Sequence, residues 1–219
     1  MMKSLKLIPV LAACTIISLA AQETPWFELN GGSADKAASN AVTRILPETG
    51  TRVIVCDGKS SCFQVPEVTE LPEQFTWAVW FRPEQQAGNG ALICKVGYHN
   101  SLLVNKEGRF GFLYYLASKK IRHLFLEPLP AGRWYFGTLV CDGKSVELYL
   151  NGEKAARHTL PEKLINGRSP YFIGALASNA APADHFKGDL DGVRLWNAAF
   201  SPAEVMALYL AEKSRYPQP

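Results

Sequence analysis

The sequence predicts an all-β fold, either a sandwich or a barrel. Short runs of β-branched and aromatic residues follow one another at close spacing, as the strands of such folds do. Asn-Gly and Asp-Gly dipeptides separate many of these runs, and both suit the left-handed backbone of tight hairpin turns. No long helical pattern occurs before residue 200.

The composition is that of a globular protein. The chain has 219 residues, of which 47% are hydrophobic and 20% are charged, and this balance argues against disorder. Its formal net charge is +3, and two of its 23 basic residues, Lys3 and Lys6, lie in the N-terminal segment. The rest of the chain is therefore nearly neutral, which argues against a surface for nucleic acid or anionic membranes.

The first 21 residues read as a secretory signal. A short basic region precedes a mostly apolar run from Leu7 to Ala20, and polar sequence begins at Gln22. A membrane span needs about 20 apolar residues, so this run is too short. We therefore expect a secreted, periplasmic or cell-surface protein without a membrane span. A lipoprotein is the alternative, because Leu11 to Cys14 resembles a lipobox, but the apolar stretch after Cys14 favours simple secretion.

Four cysteines remain once the signal is removed: Cys56, Cys62, Cys94 and Cys141. An even number in an oxidising compartment favours disulfides, and four cysteines allow three pairings. We expect Cys56–Cys62 across a tight turn and Cys94–Cys141 between neighbouring strands. Buried free thiols are the alternative for some of them. The spacings match no zinc site, since C-x-x-C is absent and the histidines are scattered.

The best-defined strands lie in WYFGTLVCDGKSVELYLNGEKAARHTL, which predicts strands over 134–141 and 146–150. In the second of these, apolar residues face one way while Glu147 and Tyr149 face the other, as in a half-buried antiparallel strand. Similar patterns predict further strands at 52–56, 61–65, 75–82, 91–96, 101–105, 109–116, 121–126, 170–174 and 186–196. The hexapeptide VCDGKS occurs at both 55–60 and 140–145, and because the flanks differ we interpret it as one hairpin turn used twice.

One helix is predicted near the C-terminus. Ser201-Pro202-Ala203-Glu204 is a capping box with proline in the first turn. Val205, Leu208 and Tyr209 share one face of the helix, which we expect to pack on the edge of the β fold. We therefore place a single domain at 22–213 and a frayed tail at 214–219.

Five segments in order carry a family resemblance. They are FTWAVWFRP (75–83), ALICKVG (91–97), AGRWYFGTLVCDGKSVELYLNGE (131–153), PYFIGA (170–175) and FKGDLDGVRLWNAAFSPAEVMALY (186–209). Together they resemble the laminin-G-like jellyroll domains of the concanavalin A-like lectin and glucanase superfamily. The resemblance implies a two-sheet antiparallel jellyroll β-sandwich with one short C-terminal helix, in which one sheet is concave and able to hold a glycan.

The resemblance also bears on function. Retaining glycosidases on this fold hold two carboxylates about 5 Å apart, supplied by patterns such as E-x-D-x-x-E, which this sequence lacks. Asp189 and Asp191 share a strand face, but Asp191 matches an aspartate of the closing signature that is not catalytic. We therefore expect a non-catalytic extracellular module that binds glycan. A protein–protein adhesion module that binds a cell-surface protein is the alternative, and a polysaccharide hydrolase or lyase is less favoured.

The resemblance further implies a structural calcium ion that joins the first strand to the last. Asp191 carries over by position, and Glu28 is the candidate for the N-terminal contribution, since calcium prefers oxygen ligands. The alternative is that Asp191 makes a local contact in the turn before Gly192.

Aromatic side chains that could stack on sugar rings complete the candidate site. Trp77, Tyr114 and Tyr115 are the candidates, because Trp77 lies on the face opposite Trp80 and one of the two tyrosines must face outward. The other tryptophans expected in the core are Trp80, Trp134 and Trp196. The hairpin tip at 118–123 is basic and is a candidate contact for acidic sugars.

Overall fold

The computed structural model describes residues 24–33, 42–96, 100–178 and 181–217. The predicted signal, Cys14 and His99 lie outside these residues. The strands are β1 (Phe27–Leu29), β2 (Val42–Ile45), β3 (Arg52–Asp57), β4 (Phe63–Gln64), β5 (Phe75–Pro83), β6 (Gly90–Lys95), β7 (Asn100–Val104), β8 (Arg109–Tyr115), β9 (Ile121–Pro128), β10 (Tyr135–Cys141), β11 (Ser145–Leu150), β12 (Glu153–Thr159), β13 (Tyr171–Ile173), β14 (Leu176–Ser178), β15 (Ala181–Ala183) and β16 (Lys187–Trp196). None of the helices in these residues is long and apolar enough to cross a membrane.

Two antiparallel sheets stack against each other. The eight-stranded sheet follows the order β12-β11-β10-β5-β16-β3-β2, with β1 paired to β16 beside this path, and the six-stranded sheet follows the order β4-β13-β6-β7-β8-β9. Strands β14 and β15 form a separate hairpin. The predicted two-sheet jellyroll sandwich with one short C-terminal helix is therefore confirmed.

Strand β5 buries both of its faces. Trp77, Val79 and Phe81 point into the core between the sheets, whereas Ala78 and Trp80 point into a second apolar cluster on the outer side of the eight-stranded sheet. This sheet therefore separates two apolar layers. Because each buried large apolar side chain contributes about 1.5–3 kcal/mol, both layers stabilise the fold.

The α-helix, α1, spans Pro202–Glu212 and starts with the predicted capping box. The Ser201 hydroxyl accepts a hydrogen bond from the Glu204 amide at 3.3 Å, and the Glu204 carboxylate accepts one from the Ser201 amide at 2.7 Å. Val205 and Leu208 are buried in the outer cluster. The helix therefore covers the outer surface of the eight-stranded sheet rather than its edge.

The segment after the helix belongs to the fold, and the tail predicted at 214–219 is wrong as far as Tyr216. That side chain is 1% exposed. Its ring stacks on Trp80 with the centroids 4.1 Å apart and lies 4.9 Å from the ring of Trp134. Its hydroxyl donates a hydrogen bond to Asp191 Oδ2 at 2.7 Å. A single aromatic residue after a helix has no periodicity, so the sequence gives no local sign of this contact.

Both copies of the hexapeptide form the same turn. Asp57 Oδ1 accepts hydrogen bonds from the amides of the second and third residues after it, both at 2.8 Å. Asp142 Oδ1 accepts the equivalent bonds at 2.8 and 2.6 Å. Gly58 and Gly143 have φ of 73° and 83°, which glycine adopts without strain. The turn is therefore the same in both copies, but the prediction of a hairpin holds for the second copy alone, because β10 pairs with β11 whereas β3 and β4 lie in different sheets.

Five strands were not predicted: β1, β2, β12, β14 and β15. Each is short or largely exposed; β12, for example, consists of residues that are all exposed or half-buried. Such strands lack the alternation that marks a half-buried strand, and pairing with a neighbour decides their structure.

Candidate ligand-binding face

The part of the outer surface of the six-stranded sheet that β8 and β9 form is the best-formed candidate site. Phe110, Phe112 and Tyr114 of β8 point into the core between the sheets, so the alternate residues of this strand face outward. The register sets each of these outward residues opposite a residue of β9, which is the edge strand. We call this surface the β8–β9 face, and it consists of Gly111, Leu113, Tyr115, Ile121, His123 and Phe125.

The ring of Phe125 lies close against Gly111. A Cβ atom at Gly111 would fall 2.1 Å from Cδ1 of Phe125, so only glycine leaves room for the ring. Phe125 is half-buried and packs against the buried cluster of Ala91, Cys94, Leu103 and Phe172. The ring of the exposed His123 follows along the strand, with the two centroids 5.9 Å apart. This arrangement presents aromatic surface to the outside, which suits stacking against a flat apolar ligand surface.

Tyr115 extends the face toward the hairpin tip and is held firmly by its backbone. Its amide donates a hydrogen bond to Asn100 Oδ1 at 3.0 Å, and its carbonyl accepts one from the Ile165 amide at 2.8 Å. The tip itself is anchored by hydrogen bonds from Ser118 to the carboxylate of Glu162. A ligand on this face would therefore meet a preformed surface rather than a loose loop.

Two of the three predicted ligand-binding aromatics are buried, which corrects the prediction. Trp77 is 1% exposed and packs edge-to-face against Phe112 and Tyr171, with centroids 6.0 and 5.7 Å away. Tyr114 is also 1% exposed, and its hydroxyl lies 3.2 Å from Nδ1 of His158. Trp77 and Trp80 do lie on opposite faces of β5, as predicted, but the face that carries Trp77 points into the interior of the sandwich. Of the predicted aromatics, Tyr115 lies on the β8–β9 face.

Asp191 and Glu28, the predicted calcium ligands, do not form an oxygen cage. Asp191 is buried, with Oδ1 accepting a hydrogen bond from the Gly31 amide at 2.8 Å and Oδ2 accepting one from Tyr216. The guanidinium of Arg215 lies 3.5 Å from Oδ2. Burial raises the pKa of Asp191, and these donors act against that rise.

Glu28 is exposed on β1, where it pairs in register with Arg194. Calcium takes six to eight oxygen ligands, whereas Asp191 is surrounded by hydrogen-bond donors. No group of three or more His, Cys, Asp or Glu side chains within the described ranges is arranged to hold a metal ion. The donor set around Asp191 therefore does not fit calcium. Asp191 itself joins β16 to the N-terminal segment through the Gly31 amide, which is the connection that the sequence analysis assigned to a calcium ion.

Neither predicted disulfide is present. Cys56, Cys62 and Cys141 are free thiols. Cys141 lies on β10 of the eight-stranded sheet and points into the core, whereas Cys94 lies on β6 of the six-stranded sheet and points outward. The two strands are not neighbours, which contradicts the assumption behind the Cys94–Cys141 pair. Burial raises the pKa of the Cys141 thiol to about 11, so it is protonated at neutral pH.

Sequence reasoning missed Phe125 and the role of Gly111, and it grouped His123 with the basic tip. The alternation of β8 was a usable signal, because the phenylalanines on either side of Gly111 mark it as outward-facing. Nothing local indicates that Phe125 is its partner, since that requires the register of β8 against β9.

Structural comparison finds sugar-binding domains among the similar folds. Domain 4 of AbnA, a GH43 extracellular arabinanase from Geobacillus stearothermophilus solved with arabinotriose, matches with a TM-score of 0.62 at 18% identity, covering 78% of this chain and 82% of that domain. The CBM40 of the Ruminococcus gnavus IT-sialidase, bound to α2,3-sialyllactose, matches with a TM-score of 0.56 at 17% identity, covering 68% and 97%.

Toxin binding domains also share the fold. The binding domain of botulinum neurotoxin serotype G matches with a TM-score of 0.64 at 14% identity, covering 87% of this chain and 52% of that domain. The chain thus spans about half the length of the toxin domain. At these identities the likeness shows the fold alone. Comparison with curated protein sequences gives no match.

A family model identifies the chain more directly than these structures do. The match runs over residues 57–206 and therefore includes most of both sheets and the first turn of the helix. It includes the repeated aspartate–glycine turns and the closing β16 strand with Asp191. The chain belongs to the Laminin_G_3 family of the concanavalin A-like lectin/glucanases superfamily.

Proposed function

We propose that this protein is a non-catalytic, extracellular carbohydrate-binding module and that its ligand lies on the β8–β9 face. The observation that carries the proposal is the half-buried ring of Phe125, which lies against Gly111 and beside the exposed ring of His123 on the edge strand, where a sugar ring could contact both. His123 and Tyr115 extend the aromatic surface along the two strands. The arabinotriose and sialyllactose complexes of similar folds support the ligand class.

The acids of the closing strand support a binding rather than a catalytic role. Asp189 Oδ2 is held by Arg82 at 2.6 Å and by Arg44 at 2.5 Å. Asp191 is held by the Tyr216 hydroxyl and the Gly31 amide. General acid–base catalysis on a glycosidic bond needs two carboxylates that both reach the substrate, and these two are engaged with other protein groups.

A protein partner is the second candidate, and one observation favours it. Strand β2 ends the strand order of the eight-stranded sheet. It carries Val42 and Ile45, which are 63% and 55% exposed. An edge strand with exposed apolar side chains can pair with a strand of another protein.

A glycan array with the purified protein tests the proposal, and matched variants locate the site. Phe125→Ala removes the ring, Phe125→Tyr keeps it, and Leu210→Ala shortens a 51% exposed side chain on the helix, on the other side of the molecule. Since an aromatic stack contributes about 0.5–1.5 kcal/mol, we expect Phe125→Ala to weaken binding about three- to tenfold. The other two variants should bind like the native protein.

Two results would contradict the proposal. A blank array with protein that melts cooperatively would favour a protein partner, and the β2 edge would then be the surface to mutate. Binding that Phe125→Ala leaves unchanged would place the glycan site elsewhere.

A further inference from the structure

A cleft of about 150 Å³ lies at one end of the sandwich, between three loops. The first loop precedes β5, the second connects β10 to β11, and the third follows β12. Leu71, Pro72, Leu160 and Leu164 form apolar walls, and the 1% exposed Cys141 also lines the cleft. An engineered apolar cavity of this volume holds benzene, so the cleft has room for one aliphatic or monocyclic group.

The loops around the cleft are fixed by hydrogen bonds. The Leu71 amide donates to Asn166 Oδ1 at 2.8 Å, which joins the first loop to the third. The Leu160 amide donates to the Lys144 carbonyl at 2.7 Å, which joins the third loop to the second. The cleft is therefore preformed, and a ligand need not order its walls.

One ion pair borders the cleft. Lys163 Nζ lies 3.3 Å from Glu73 Oε1, and the two side chains are 74% and 61% exposed. An exposed pair of this kind contributes little to stability, so separating it costs little. A ligand with both a carboxylate and an ammonium could give each side chain a new partner.

We propose that this cleft binds a free apolar α-amino acid. The side chain would enter between the leucines, the carboxylate would pair with Lys163 and the ammonium with Glu73. An α-amino acid carries both charges on the carbon that bears its side chain, which suits a lysine and a glutamate 3.3 Å apart beside one apolar cleft. The site is separate from the β8–β9 face and does not depend on the proposed carbohydrate function.

Two-dimensional ¹H–¹⁵N NMR of the full-length protein tests the proposal. L-leucine and L-phenylalanine are the probes; glycine controls for the charges alone, and toluene for the apolar group alone. We expect the two probes to shift the amides of Gly143, Lys163 and Leu164 with a Kd of about 1 mM. Glycine and toluene should bind at least about tenfold more weakly.

Variants separate this site from nonspecific binding. Lys163→Met and Glu73→Gln should each weaken L-leucine binding roughly three- to tenfold, whereas Lys120→Met and Glu127→Gln, which change exposed charges elsewhere, should not. Leu164→Trp should fill the cleft and abolish binding; if it fails to fold, the charge variants still decide. The proposal is overturned if neither amino acid shifts these amides, if toluene binds as well as they do, or if the charge variants have no effect.

Discussion

The variant Tyr216→Phe removes one buried hydroxyl and keeps the aromatic ring. In the native protein this hydroxyl donates to Asp191 Oδ2 at 2.7 Å, and Asp191 is 0% exposed. The variant preserves the stack on Trp80 but takes a donor away from a buried carboxylate. Since a hydrogen bond to a charged group contributes about 1.5–3 kcal/mol, we expect the free energy of unfolding to fall by about 2 kcal/mol. Tyr216→Ala also removes the ring and should cost about 3 kcal/mol more.

The cost of Tyr216→Phe should depend on pH. Burial raises the pKa of Asp191, and the Tyr216 hydroxyl and the Gly31 amide act against that rise. Without the hydroxyl, the pKa of Asp191 in the folded state rises further, while in the unfolded chain it keeps its ordinary value of about 4. The added cost is therefore larger at pH 8 than at pH 4, because the folded state takes up a proton on Asp191 before the unfolded chain does as the pH falls.

Urea unfolding followed by tryptophan fluorescence at pH 8 and pH 4 measures both effects. Leu210→Ala, at a 51% exposed position of α1, is the control and should change the free energy of unfolding by less than about 0.5 kcal/mol. The reasoning would be refuted if Tyr216→Phe had the native midpoint at pH 8, or if its cost were equal at both pH values.

Three further changes follow from the contacts. Lys95 is 2% exposed and its ammonium donates to the carbonyls of Thr69 and Ser169, so Lys95→Met should lower the free energy of unfolding by about 2–4 kcal/mol in urea. Ser201→Ala removes the helix cap and should cost about 1 kcal/mol in the same assay. Calcium or EDTA should move the melting temperature by less than about 1 °C, because protein donors already surround Asp191; a rise that requires calcium would instead support the sequence-based site.

The sequence was sufficient for most of the fold because the central strands carry their own signal. Strand β5 was predicted at 75–82 and observed at Phe75–Pro83, and β10 was predicted at 134–141 and observed at Tyr135–Cys141. Their β-branched and aromatic residues favour strands wherever they lie. The capping box likewise fixed the start of α1 from four consecutive residues. Strand β12 and the Tyr216 segment were missed because their partners lie far away in the sequence.

The candidate site was harder to predict because burial depends on both sides of a sheet. Trp77 and Trp80 alternate on β5, and a sheet with one solvent-exposed side would have left one of them accessible. Here α1 and Tyr216 cover the side of Trp80, while the six-stranded sheet covers the side of Trp77. The prediction for Trp77 failed for that reason, although its strand face was assigned correctly.

A glycine marks the proposed site better than a tryptophan does. Large aromatic residues of a sandwich are mostly used in packing, so their presence in the sequence does not separate core from ligand surface. An outward glycine in a strand lowers β propensity and leaves backbone uncovered unless a neighbouring side chain lies over it. Gly111 is covered by Phe125, whose half-buried ring lies beside the exposed ring of His123 on the edge strand. If this geometry determines binding, Gly111→Ala should weaken binding on the glycan array at least as much as Phe125→Ala does, because the added methyl group would fall 2.1 Å from Cδ1 of Phe125 and 2.5 Å from the Leu124 carbonyl oxygen and would displace both the ring and β9.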